Sequence, residues 1–131
     1  MSDSTGFTPD GVAPNFWPTL AAANLDKQKL EELLQKMSRE ELVRFYWDYD
    51  RISDTVKGDL FLEYIDSEDE AQDVGWWLVA RGEARVREVI ADPSKAPTEV
   101  PEDDRRGASF FGAIARVYSN RFHTDVPPLG T

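Results

Sequence analysis

The 131-residue chain carries 25 acids against 15 bases, a formal charge of −10, and no cysteine. Its length fits one domain with a single core. The charge disfavours nucleic acid and anionic membranes as partners, and the lack of cysteine removes disulfides, thiolate catalysis and cysteine-based zinc sites.

In chain order, residues 1–14 are small, polar and interrupted by Gly and Pro, which predicts a disordered N-terminal tail. Residues 15–127 are expected to form one helical domain, and 128–131 a C-terminal tail. There is no basic and apolar leader and no apolar run of bilayer length, so a cytoplasmic protein is expected. Asn15 can cap a first short helix through "FWPTLAAA". Asp26 can cap a second, in which Leu30, Leu33, Leu34 and Met37 share a face. Ser38 and Glu41 form a capping box ahead of a strong stripe of Leu42, Phe45, Tyr46, Tyr49, Ile52 and Val56. The segment 59–65 fits both helical and alternating patterns and is expected to be a short helix.

One long helix is expected over 67–91, ended by Pro93. Ser67 and Glu70 make a second capping box, and Glu68, Asp69 and Glu70 complement the positive helix start. A last helix is expected over 108–122, apolar on two sides and therefore central. The fold class is all-α, an irregular bundle of about five to six helices in a single domain.

Asp73 lies beyond the first turn of its helix, three residues before Trp76 and four before Trp77, within reach of both. Ala71, Val74, Leu78, Gly82 and Val89 fall around the buried direction with Trp77 at its edge, and Trp76 points away. Trp47 likewise falls outside its own stripe, beside Asp50 and Asp54. Helical angles therefore predict two outward tryptophans, each next to carboxylates, a surface suited to cation–π contact and carboxylate pairing with something positive. The expected partner is a basic protein or a cationic small molecule.

No nucleophile elbow, phosphate loop or EF-hand is present, and no metal or cofactor is expected. "DYDRISD" lacks the glycine and terminal glutamate of a calcium loop. His123, the single histidine, sits where a cation suits a helix C-terminus. A catalytic or small-ligand alternative would use a pocket lined by Asp59, Asp73, Tyr64 and Trp77.

The ordered set "FW", "SREELVRF..DYD", "DL" with an apolar run, "SEDE...D...WL...G", "DP" and a terminal "A..Y" helix resembles the bacterial family catalogued as domain of unknown function 4240. Relatives of that family occur beside WGR domains in proteins labelled molybdate metabolism regulators. The likeness spans about residues 15–127. It implies the helical fold and points at Asp59, Ser67, Asp69, Asp73 and Trp77, but brings no established reaction. The chain departs from the family pattern with Glu68 for Asp, Ala71 for an aromatic, Val74 for Phe and Gly75 for Arg. The candidate binding residues are thus Trp47, Asp50, Asp54, Asp59, Ser67, Asp69, Asp73, Trp76 and Trp77, in a small acidic interaction module with a toxin-neutralising or regulatory role.

Overall fold

Local capping chemistry sets the starts of three helices in the computed structural model, which describes residues 8–128. Asp26 accepts from the Lys29 amide to open α2 (Lys27–Gln35). Ser38 and Glu41 form the full reciprocal box that opens α3 (Arg39–Leu60). Ser67 accepts from the Glu70 amide to open α4 (Glu68–Ala80), although only the serine half of that box is present. Ahead of these lies α1 (Phe16–Ala23), whose Asn15 makes no side-chain cap bond. The chain continues through α5 (Glu83–Ala91) and ends with α6 (Phe110–Phe122).

These six helices realise the expected all-α bundle, with two differences in where helices stop. The expected long helix breaks at Gly82. There φ is +106°, a conformation glycine adopts without the Cβ penalty, and the Arg81 and Gly82 amides turn back to Leu78 and Val79 to close α4. The expected short helix over 59–65 does not form. Instead α3 runs on to Leu60, and residues 61–65 make a tight turn with a single bridge between Phe61 and Ile65. Leu62 stands at φ +76°, outside the helical region, and its N–H donates to the Ile65 carbonyl at 2.8 Å.

Five of the six residues of the expected α3 stripe, Leu42, Phe45, Tyr49, Ile52 and Val56, are buried, and Tyr46 is half-buried. They meet Phe16 and Leu20 from α1, Val74 and Leu78 from α4, and Phe110 and Ile114 from α6. The most extensive helix pairing is α3 with α4, joined as an antiparallel hairpin, while α6 packs on both α2 and α3. Gly75 lies where α4 comes nearest to α3. A Cβ there would stand 2.8 Å from the Ser53 carbonyl oxygen, so any larger side chain at this position, arginine included, has no room.

The N-terminal segment also differs from expectation. Residues 1–7 and 129–131 lie outside the described residues, but 8–14 are ordered rather than a free tail. Pro9 to Gly11 form a 3₁₀ turn with Pro9 buried. The Trp17 indole donates to the Pro9 carbonyl at 3.2 Å, and the Ala13 amide donates to Asp48 at 2.8 Å. Asp48 explains the docking: it sits fully buried within the α3 stripe, where its carboxylate also takes Arg44 at 2.9 Å and Arg51 at 3.3 Å. A buried carboxylate needs every acceptor filled, and the 8–14 segment supplies one of the donors.

Candidate functional site

The α3–α4 hairpin concentrates the acid content of the chain. Between residues 50 and 73 the bases are Arg51 and Lys57, set against Asp50, Asp54, Asp59, Glu63, Asp66, Glu68, Asp69, Glu70 and Asp73. Lys57 reaches across the hairpin to Glu68 at 2.9 Å, the contact that chiefly raises its pKa, with Asp54 and Asp69 adding to the effect. Asp54, Asp69 and Asp73 are exposed, whereas Asp50 and Asp59 are half-buried. Desolvation raises the Asp50 pKa, and the neighbouring Asp54 charge raises it further against the lowering pull of Lys57 and Arg51. Asp59 is raised by desolvation alone. The hairpin therefore holds more negative charge than its own bases neutralise.

The tryptophans do not project outward as helical angles predict. Trp47 lies edge-on to Tyr46 at 5.0 Å, and its N–H donates to the Pro127 carbonyl at 2.8 Å, because the segment after α6 returns across α3. Trp76 stacks on Phe111 at 5.3 Å with the rings 18° from parallel. Its indole nitrogen is buried and, among the described residues, without a hydrogen-bond partner. Both indoles are half-buried. The physical reason is that α3 and α4 each have a second neighbour in α6, so a side chain pointing away from one apolar stripe meets another helix rather than water.

Trp77 belongs to a different corner. It is 6% exposed, donates to the Asp104 carbonyl at 2.9 Å, and lies beneath the Arg81 guanidinium at 3.8 Å. The same guanidinium contacts the Asp104 carboxylate at 2.9 Å, and Arg106 bonds it at 3.0 and 3.3 Å. The Arg106 hydrogen bonds, helped by Arg81, hold the Asp104 carboxyl down to about 2. Ser67 serves as the α4 cap. Of the residues chosen from sequence, the structure thus brings Asp50, Asp54, Asp59, Asp69 and Asp73 together on one hairpin, with Ser67 at the start of its second helix. Trp47 and Trp76, expected to face outward, are half-buried, and Trp77 is buried.

Sequence reasoning missed what the hairpin tip does expose. Among the described residues the large apolar side chains in the exposed class are Leu62, at 73%, and Tyr64, at 42%, and both lie in the turn between α3 and α4. Local pattern could not find Leu62, because it alternates with Leu60 as a buried strand residue would.

Among the described residues, clefts lie elsewhere. One, of about 290 Å³, is lined by Trp17, Leu20, Leu25, Ala80, Arg81 and Arg85 among others. A second, of about 500 Å³, runs between the α1–α2 turn and the segment before α6. Neither includes Asp59, Tyr64 or Asp73 in its walls. Among the described residues no group of three or more His, Asp or Glu is placed to hold a metal ion. No helix there is long and apolar enough to cross a membrane.

The raised Asp50 carboxyl gives a pH prediction. Its folded value lies above the ordinary 3.8, so its charged form costs stability above the folded value, and that cost disappears as pH falls through the folded value toward 3.8. Asp50→Asn is expected to raise the urea midpoint at neutral pH, with the gain shrinking to nothing in acid. A midpoint gain that persists unchanged below 3.8 contradicts the charge origin.

Comparison with family models, curated proteins and solved structures finds no match to this chain.

Proposed function

We propose that this protein is an interaction module that docks a basic protein against the acidic α3–α4 hairpin. The observation that carries this reading is that Leu62 and Tyr64, the exposed large apolar side chains among the described residues, lie in a turn whose flanking positions in the chain carry the carboxylates of Asp59, Glu63, Asp66, Glu68 and Asp69. Apolar anchors within a charged rim are the anatomy of a docking patch, and a rim of one sign steers a partner of the other. Masking a basic toxin or a basic regulatory target is a role such a surface suits. A cytoplasmic setting fits a chain without cysteine.

Leu62 adds a second argument. Holding a leucine at positive φ costs roughly 1 kcal/mol or more relative to glycine, a cost that glycine would avoid at no loss of buried contact, since the side chain faces solvent. Leu62→Gly is therefore expected to stabilise the fold by roughly 0.5 to 1 kcal/mol while weakening partner binding. Opposite signs in the two measurements distinguish a docking residue from a structural one.

The test uses an arginine-rich peptide with one leucine as the probe, titrated while backbone amide shifts are followed. Saturable shifts confined to residues 50–73, an affinity that falls with added salt, and a loss of roughly threefold or more in Leu62→Gly are expected. Binding unaffected by joint Asp→Asn substitution at residues 54, 69 and 73 overturns the proposal. So does free arginine binding as tightly as the peptide, which would assign the face to a small cation.

A further inference from the structure

The cleft beside the α1–α2 turn reverses the charge that dominates the rest of the molecule. Its walls are Asn24, Leu25, Asp26 and Lys27 on one side, and Arg105, Arg106, Gly107 and Ser109 on the other. Its volume of about 500 Å³ lies within the range of small-ligand sites. We propose that this cleft binds the phosphate group of a small phosphorylated metabolite, independently of the acidic hairpin.

In an acid-rich chain most bases find partners: Arg44, Lys57, Arg81, Arg87 and Arg116 all hold carboxylates. Lys27 and Arg105 enter none of the ion pairs among the described residues, yet they face one concavity from its two sides. Two acids adjacent to them in the chain, Asp26 and Asp104, are already engaged. Asp26 turns its Oδ1 onto the Lys29 amide as the α2 cap. Asp104 is shared between Arg106 and Arg81. Arg106 spends its Nε and Nη2 on Asp104, which leaves Nη1 for a ligand.

Oxyanion recognition needs forked guanidinium donors or a compact ammonium, together with hydroxyl and amide donors, around an open space. The cleft supplies Arg105 and Arg106, Lys27, and the Ser109 hydroxyl, which makes no cap bond to α6. Gly107, packed closely against Ala80, fixes the backbone of that wall. A polyanion is a poor fit, since the surrounding charge of −10 opposes every phosphate beyond those the cleft itself neutralises.

The test titrates the full chain with inorganic phosphate and with pyrophosphate, against chloride at matched ionic strength, and follows backbone amide shifts. Saturable shifts at residue 27 and at 105–112 are expected with both phosphates and not with chloride. Arg105→Gln and Lys27→Gln should each weaken binding roughly threefold to tenfold, and the pair together should abolish it. Both side chains are exposed, so unchanged thermal midpoints will show that the variants still fold. Non-saturable shifts, shifts equal to those with chloride, or full affinity in the double variant overturn the proposal. Each of these outcomes is separate from the peptide titration of the hairpin.

Discussion

Asp48→Ala is expected to lower the unfolding free energy by about 2 to 4 kcal/mol, the range for removing one partner of a buried, hydrogen-bonded charge. The carboxylate is fully buried and takes three donors: the Arg44 and Arg51 guanidinium groups and the Ala13 amide. The two arginine side chains remain 43% and 36% exposed. Water can therefore rehydrate them, which keeps the cost below that of stranding a wholly buried ion. The part-buried Ala13 amide also loses its acceptor, and lifting of residues 8–14 would return it to water. Two readouts separate these effects. The urea midpoint reports the global loss, and hydrogen exchange at Ala13 with Trp17 fluorescence reports release of the segment, because the Trp17 indole holds the Pro9 carbonyl. Asp48→Asn should fall between, since it keeps one acceptor and loses the charge. A midpoint unchanged in Asp48→Ala would show that the three bonds contribute nothing net.

What was legible in the sequence was local. The caps at Asp26, Ser38 and Ser67 act within one turn, and each forms a side-chain bond. The α3 stripe is legible because a 3.6-residue period marks one buried face whatever lies against it. The orientation of Trp47 and Trp76 was not, because a helical wheel gives a direction relative to one stripe and says nothing about a second neighbour. Here α6 and the segment after it supply that neighbour through Phe111 and Pro127. Asp48 was legible in principle. It follows Phe45 by three residues, inside the buried arc, and Arg44 and Arg51 stand four before and three after it. Two bases at helical spacing around an acid in an apolar stripe signal a buried ion cluster rather than a metal ligand. Gly82 looked like one more small residue on a buried face, since nothing local distinguishes a helical glycine from one at positive φ. The exposed tip is set by the left-handed Leu62, a conformation that residue type argues against.

Gly107→Ala is expected to cost about 2 to 4 kcal/mol, from two causes that add. The backbone at Gly107 has φ +85°, where an L side chain is strained whatever space surrounds it. The space is also missing. A Cβ would stand 2.5 Å from the Ala80 Cβ and 3.2 Å from Leu25 Cδ2. Leu25 Cδ2, the end of a flexible side chain, can shift by a few tenths of an ångström, but the Ala80 Cβ cannot, because it is fixed to the last turn of α4. Ala80→Gly tests the division between the causes. Alone it should cost about 1 kcal/mol, as glycine does in a helix. Combined with Gly107→Ala it removes the nearest clash, so the double variant should be more stable than the sum of the single costs predicts, by about 1 kcal/mol or more. Strictly additive costs would mean that the penalty is backbone strain alone, and that α4 and the 105–109 segment are not locked together at this contact. Coupling, by contrast, would make the cleft wall rigid. Phosphate affinity should then fall in Gly107→Ala even where the variant remains folded, and recover in part when Ala80→Gly is added.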